Sequence, residues 1–171
     1  QKAVSDNEQN LAELTRQLVK AQEVNDQLKY GSLIVEMKKL QLQNEEILLL
    51  QNEQRKRVKY FQGGNLYKLL QQASENDVIL ITEKDWEEVW KAIDWMYPSF
   101  NKHLSDVFPG LPIQTRQLCW LTKIGIKPIG IARILKRSRQ AISNTRTKLN
   151  GIIADSSLPD TNFDDFITNL S

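Results

Sequence analysis

The first 60 residues constrain the fold most strongly, because they contain no proline and a single glycine, Gly31. The segment is rich in Gln, Glu, Lys, Asn and Leu, a composition typical of a long exposed helix. Its apolar residues recur in alternating steps of three and four, which is the spacing of a coiled-coil seam with one shift of phase near Gly31. The seam comprises Leu11, Leu14, Leu18, Ala21, Asn25 and Leu28, and then Leu33, Met37, Leu40, Asn44 and Ile47.

This seam predicts a stalk over residues 1–62 through which two copies of the chain form a homodimer. Asn25 and Asn44 fall on the seam, where a buried asparagine fixes the register and the number of strands. A parallel dimer is the leading arrangement. An antiparallel dimer, or a hairpin that folds back at Gly31 inside one chain, is the alternative. The basic sequence RKRVK at 55–59 indicates a solvated face or a secondary contact to phosphates.

After the Gly63–Gly64 pair, which predicts a hinge, residues 65–108 are expected to form a helical connector. Thr82 has the character of an N-cap, with Asp85 as the acidic partner of a capping box. The helix that follows contains three tryptophans at helical spacing, which we expect to be core residues rather than a stacking platform. Its predicted inner face is Trp86, Val89, Trp90, Ile93, Met96 and Tyr97.

The net charge of +2 conceals a strong segregation of charge along the chain. Residues 110–154 contain nine bases and no Asp or Glu, and acidic residues follow from Asp155 onwards. Such an asymmetry indicates a polyanionic partner, whereas the alternative is a solvated basic surface without a partner.

Residues 109–154 read as three helices in tight succession, with turns at Gly125–Lys127 and Lys136–Arg137. Ser138 is a favourable N-cap for the third helix, which spans 138–150. The apolar face of that helix is predicted to be Ile142, Thr145, Leu149 and Ile152. Two short helices joined by a tight turn, the second of them basic, describe a helix-turn-helix.

The opposite face of the third helix carries amides and hydroxyls and no acid, which are groups that hydrogen-bond base edges in the DNA major groove. The residues predicted to contact bases are Gln140, Ser143, Asn144 and Thr147. Basic side chains around them are expected to bind phosphates and to fix the position of the protein along the duplex. These are Arg133, Lys136, Arg137, Arg139, Arg146 and Lys148.

Residues 111–153 resemble the LuxR-type helix-turn-helix of bacterial regulators. The matches in its first two helices are Leu111, Leu118, Leu121, Gly125, Ile131, Ala132 and Leu135, and those in its recognition helix are Ser138, Ile142 and Leu149. The chain departs from the pattern at Thr115, where the family has a glutamate, and at Ala141 and Thr145. The resemblance implies an all-α fold that binds double-stranded DNA and performs no catalysis.

The preceding pattern, which runs from Trp86 to Leu111 through YPSF and FPGL, resembles a variant of that family. In this variant a tetratricopeptide sensor, sometimes with a membrane span, precedes a coiled coil and the DNA-binding domain. The resemblance therefore implies an upstream sensor outside this chain. RNA polymerase is a further candidate partner, which a sigma-factor-like module would require.

Residues 155–171 form an acidic tail in which Phe163, Phe166, Ile167 and Leu170 have the spacing of a short amphipathic helix. We expect this helix to dock on the domain. An alternative hypothesis is that Asp164 and Asp165 mimic phosphates and mask the basic surface.

An enzyme is not expected, because no phosphate-binding loop, nucleophile elbow or zinc-peptidase motif occurs. One cysteine, Cys119, and one histidine, His103, argue against a disulfide, a metal site or a cofactor and fit a cytoplasmic location. Two alternatives to a DNA-binding regulator remain at this stage. One is a coiled-coil adapter whose basic helices bind an acidic protein, and the other is a sigma-factor-like promoter-binding module.

Overall fold

The computed structural model describes residues 2–23, 26–155 and 162–170, and every regular element in these ranges is a helix. The prediction of an all-α fold is therefore confirmed. The described helices are α1 (Lys2–Glu23), α2 (Gln27–Gly63), α3 (Asn65–Glu75), α4 (Glu83–Met96), α5 (Phe100–Val107), α6 (Ile113–Ile124), α7 (Pro128–Ile134), α8 (Arg139–Asp155) and α9 (Phe163–Asn169). Among them, none combines the length and the apolar character that a membrane span requires.

The chain divides into two compact units, residues 1–56 and residues 57–171. The division falls before Arg57, earlier than the Gly63–Gly64 break at which the sequence predicted a hinge. That break does end α2, and α3 begins at Asn65. The last turns of α2 thus belong to the second unit, where Val58 and Phe61 join its hydrophobic core.

In the first unit, α1 and α2 pack against each other as a hairpin within one chain. Leu14, Ala21 and Leu33 are buried between the two helices. Near the far end of α1, the Asn7 side chain donates a hydrogen bond of 2.8 Å to Oδ1 of Asn44. Because α1 and α2 are joined by a short connection and residues 7 and 44 meet, the two helices run in opposite directions.

The hairpin corrects two details of the predicted stalk. The chain does not turn at Gly31, which lies inside α2, because α1 ends at Glu23 and α2 begins at Gln27. Asp26 precedes α2 and accepts a hydrogen bond from the backbone N–H of Lys29, as an N-cap does. Leu28, predicted as a seam residue, is 89% exposed, and Asn25 lies outside the described residues.

The seam predicted to join two chains thus packs between two helices of the same chain in this structure. Leu14 and Leu33 are buried there, and Leu18, Met37 and Leu40 pack around them. Homodimer formation through these particular residues stays a prediction.

In the second unit, α3 to α9 surround a single core formed mainly by aliphatic residues and phenylalanines. Thr82 and Asp85 form the predicted capping box at the start of α4. The prediction that the tryptophans of α4 are core residues is wrong for two of the three. Trp90 and Trp95 are each 45% exposed, because Val89, Ile93 and Met96 define the buried face and both indoles lie beside it.

Helices α3 and α7 lie close together at Gly130. A Cβ atom placed on Gly130 would lie 2.7 Å from Cβ of Ser74 and 3.1 Å from Cγ2 of Ile126. Real side chains do not tolerate the first distance, so only glycine allows the two helices to approach this closely. Gly130 therefore fixes where α7 lies on the core, and with it the position of the segment that follows.

We expect Gly130→Ala to destabilise the protein by about 1–3 kcal/mol, because the added methyl group overpacks the α3–α7 contact. The matched control is Gly151→Ala in α8, where an added Cβ meets nothing within 4 Å. That change should stabilise the helix by about 0.5–1 kcal/mol. Urea denaturation of both variants measures the difference, and equal effects of the two substitutions would contradict the account.

Candidate nucleic-acid interface

The turns between α6, α7 and α8 lie where the sequence predicted, but α8 continues to Asp155, beyond its predicted end at residue 150. Gly125 ends α6 with a left-handed φ of 94°, a conformation that favours glycine. Pro128 occupies the first turn of α7, where its missing N–H costs nothing. Between α7 and α8, Lys136 adopts a φ of 53°, the one non-glycine residue with positive φ in the described part of the chain. The turn into α8 is therefore compact.

Helix α8 is anchored by its cap and by one apolar face. Oγ of Ser138 accepts a 3.1 Å hydrogen bond from the backbone N–H of Ala141, so the predicted N-cap is confirmed. Ile142 and Leu149 are buried as predicted, but Ile152 is 46% exposed and Ile153 is fully buried in its place. The reason is helical geometry, since Ile153 lies four residues after Leu149 and so continues the same face.

The opposite face of α8 presents the predicted polar side chains to solvent. Gln140, Ser143, Asn144 and Thr147 are all exposed. The Gln140 amide donates a 2.8 Å hydrogen bond to Oδ1 of Asn144, and the hydroxyl of Thr147 donates to the backbone carbonyl of Ser143. An amide has two donor and two acceptor sites, so the linked amide pair keeps capacity for a ligand. The face is chemically suited to hydrogen-bond base edges.

Three of the predicted phosphate-binding residues surround this face in accessible positions. Arg139 and Lys148 are exposed, and Arg137 is half-buried in the turn before α8. Arg137 and Arg139 line an open groove of about 540 Å³ that also includes Ser138. These cations lie beside the polar face, at the positive end of the α8 dipole or along its exposed side.

Arg133 and Lys136, also predicted to hold phosphates, have partners inside the protein. Nη1 of Arg133 donates a 3.0 Å hydrogen bond to the carbonyl of Ser74, and Nζ of Lys136 donates to the carbonyl of Asp77. Nε of Arg133 also lies 3.9 Å from a carboxylate oxygen of Asp77. Ser74 lies in the last turn of α3, where the helix dipole attracts cations, and Asp77 lies two residues after the helix ends. The two side chains therefore hold α7 and the turn after it against the end of α3 and the residues that follow it.

Arg146 is paired with the tail. It forms an ion pair with Asp164 of α9, and its guanidinium lies 5.8 Å from the ring centroid of Phe163. Its Nε is buried and has no hydrogen-bond partner among the described residues. Of the six cations predicted to bind phosphate, Arg133, Lys136 and Arg146 are thus engaged within the chain.

Helix α9 docks on the domain, as the spacing of its apolar residues predicted. Phe163, Phe166 and Ile167 are buried, and the rings of Phe166 and Phe108 meet edge to face at 5.8 Å. Asn162 caps the helix by accepting a hydrogen bond from the backbone N–H of Asp165.

Lys123, to which the sequence analysis assigned no role, holds the end of α9. Its Nζ donates to the carbonyls of Thr168 and Leu170 at 2.8 and 2.6 Å and lies 4.4 Å from the ring centroid of Tyr97. Burial lowers the pKa of Lys123 to about 8 and raises the pKa of Tyr97. Nothing in the sequence distinguishes Lys123 from its basic neighbours, because its partners are backbone carbonyls.

A second surface feature is an open groove of about 660 Å³ between α4 and α6. Trp86, Trp90, Ile113 and Trp120 supply its apolar lining, and Glu83 and Glu87 lie at its edge. The indole N–H of Trp120 is already bound to Oδ1 of Asn101 at 2.9 Å. The sequence did not predict this groove, because the tryptophans of α4 were expected to be core residues.

Within residues 2–23, 26–155 and 162–170, no group of three or more His, Cys, Asp or Glu side chains is arranged to hold a metal ion. Cys119 is buried, and burial raises the pKa of its thiol to about 12. Comparisons of the chain with protein-family models, curated proteins and solved structures found no match.

The depressed pKa of Lys123 predicts that stability rises with pH between about 8 and 9. In this range the unfolded chain keeps the Lys123 proton up to its ordinary pKa of 10.5, whereas the folded chain has lost it from about 8. The unfolded state then binds more protons, so the free energy of unfolding increases with pH. Above about pH 9 the unfolded chain also loses the proton of Cys119, whose ordinary pKa is 9.0, whereas burial keeps this proton on the folded chain, so the two effects offset and the rise levels off. Burial raises the pKa of Tyr97 as well, so tyrosine ionisation does not oppose the rise between pH 8 and 9.

Urea denaturation at pH 8, 8.5 and 9 measures this slope, and Lys123→Met should remove it. Lys148→Met, at an exposed lysine, is the matched control and should leave the slope in place. A slope that survives in Lys123→Met would show that another group causes it.

Proposed function

We propose that the chain is a sequence-specific DNA-binding transcriptional regulator whose helix α8 enters the major groove of double-stranded DNA. The major groove is about 12 Å wide and admits one α-helix. Helix α8 would read base edges through its polar face, and the cations beside that face would contact phosphates. The resemblance of residues 111–153 to the LuxR-type helix-turn-helix agrees with this proposal.

One observation carries the proposal: α8 buries an apolar face and exposes a face of amides and hydroxyls. Ile142 and Leu149 are buried. The exposed polar residues are Gln140, Ser143, Asn144 and Thr147. A solvent face selected only for helix stability favours Glu and Lys pairs. Here the exposed face has no acid at all, and the acid-free region extends over residues 110–154.

The hydrogen bonds of the second unit refine which cations would meet phosphates. Arg137, Arg139 and Lys148 remain accessible, and we assign phosphate contacts to these three. Arg133 and Lys136 would act by holding α7, because their donors are bound to the end of α3 and the residues that follow it. Arg146 would become available only when its ion pair with Asp164 opens.

As a homodimer, the protein would present two copies of α8 to half-sites separated by about one helical turn of DNA or a multiple of it. Binding should weaken steeply with salt, because each phosphate contact releases counterions. An acidic protein is the competing partner for the basic surface. Preference for one duplex sequence over others, in the presence of excess heparin, separates the two partners, since heparin displaces purely charge-driven binding.

The assignment of roles predicts different consequences for two substitutions in α8. Duplexes selected from random DNA by the intact chain provide the specific site, and random duplex provides the reference. Asn144→Ala should reduce the preference for the selected sequence by about 1–3 kcal/mol. Lys148→Ala should weaken binding to both duplexes alike and lower the salt slope by about 1.

Affinities measured by fluorescence anisotropy at several salt concentrations test these expectations. If both variants lose the same affinity on both duplexes, the assigned roles are wrong. If no duplex is enriched in the selection, sequence-specific binding itself is wrong.

The acidic tail provides a further test, because Asp164 forms an ion pair with Arg146 and so keeps Arg146 from binding a phosphate. If α9 masks part of the interface, Asp164→Asn should strengthen DNA binding several-fold and raise the salt slope by about 1, as Arg146 gains a phosphate. Asp165→Asn is the matched control, since it removes the same charge from the same helix at an exposed residue that does not pair with Arg146. Equal gains in the two variants would mean that only net charge matters and would contradict masking.

A further inference from the structure

Helix α2 carries two apolar stripes on opposite faces, and the described residues cover only one of them. The first contains Leu33 and Leu40 and packs on α1. The second lies about half a turn away, since two residues along a helix rotate the side chain by about 200°. We call this second stripe the outer ridge. It consists of Leu28, Val35, Leu42 and Leu49, which are between 63% and 89% exposed.

The outer ridge has a strict seven-residue spacing. Seven residues return a helix to within about 20° of its starting direction, so the four side chains form one continuous stripe that drifts by about 60° over its whole length. Aliphatic side chains scattered singly on a surface need no explanation, but a line of four along one helix is an unpartnered seam.

Charged residues flank the outer ridge in a definite order. Lys38 and Lys39 lie just before Leu42, and Glu45 and Glu46 lie just after it. All four side chains are exposed, and none belongs to an ion pair within the described part of the chain. Lys38 and Glu45 are seven residues apart and share one side of the ridge, while Lys39 and Glu46 share the other.

We propose that the outer ridge is a homodimer interface in which two copies of α2 pack antiparallel, with the two-fold axis at Leu42. Leu42 then meets Leu42 of the second copy, and Val35 meets Leu49 of the second copy on either side. Lys38 faces Glu45 of the second copy and Lys39 faces Glu46, and each pair occurs twice. Leu28 lies opposite Lys56, whose aliphatic stem covers apolar surface.

The pattern of charges indicates both the partner, which is a second copy of the chain, and its antiparallel direction. An interface between identical copies must be complementary to itself, and rotation about Leu42 places the lysine pair on the glutamate pair. In a parallel dimer the lysines of the two copies lie at the same height, and so do the glutamates, which places like charges opposite each other. The pattern therefore fits a second copy in the antiparallel direction.

This interface differs from the dimer that the seam predicted. Leu28 is shared by the seam and the outer ridge, but the buried seam residues Leu14, Ala21 and Leu33 pack between α1 and α2 of one chain. A dimer through the outer ridge therefore leaves the hairpin intact. The inference involves the first unit alone and does not depend on DNA binding.

Cysteine cross-linking of the full chain tests the direction. Under mild oxidation, Leu42→Cys should form a disulfide-linked dimer, because only the residue on the axis faces itself. Val35→Cys and Leu49→Cys should each fail to cross-link alone and should cross-link when mixed. The unsubstituted chain is the control, since its buried Cys119 thiol has a pKa raised to about 12 and stays protonated. Efficient self-cross-linking of all three variants would indicate a parallel dimer and overturn the proposal.

Charge reversal followed by sedimentation equilibrium provides an independent test. The variant K38E/K39E should weaken the dimer at least about tenfold, since four attractive pairs become repulsive. Adding E45K/E46K to the same chain restores opposite charges in the antiparallel dimer, so the fourfold variant should recover the affinity of the unsubstituted chain. No recovery would contradict the proposal. An unsubstituted chain that stays monomeric at every concentration would show that another partner covers the ridge, and would also overturn it.

Discussion

The close contact between α3 and α7 is the interaction on which the second unit depends. Gly130 allows the two helices to approach, and the Ser74 carbonyl binds Arg133 across the same contact. Because α7 is only seven residues long, it has little stability of its own and takes its position from α3. The compact turn at Lys136 then transmits that position to α8. The polar face of α8 is therefore presented by a supported helix, which is what precise contact with a ligand requires.

Contacts within the second unit, including the one between α3 and α7, reduce the number of bases that are available to a polyanion. Nine bases without an acid between residues 110 and 154 suggest a continuous positive surface, yet several of these bases have internal partners. Arg133 and Lys136 bind carbonyls at the end of α3 and just after it, Lys123 binds carbonyls at the end of α9, and Arg146 pairs with Asp164. Cations attracted to helix C-termini stabilise the fold. Of the five other bases, Arg137, Arg139 and Lys148 lie on or just before α8, so the candidate interface is smaller than charge counting indicates.

Local chemistry allowed the sequence to predict much of this architecture. The capping box at Thr82, the cap at Ser138 and the turn at Gly125 depend on neighbouring residues, and all three are present in the structure. Features that depend on distant partners were not predictable. The seam of the first 60 residues is compatible with a dimer or a hairpin, because spacing does not specify which helix supplies the other side. The internal partners of Lys123 and Lys136 are backbone carbonyls, which leave no trace in the side-chain pattern.

The central claim is that the polar face of α8 is the surface that meets DNA. Amide resonances of the isotopically labelled full chain, recorded while a selected duplex is added, test this claim most directly. The account predicts that the largest shifts occur at Gln140, Ser143, Asn144 and Thr147, with smaller shifts at the turn before α8. Shifts confined to the basic cluster at 55–59, or to the groove lined by Trp86 and Trp90, would contradict it.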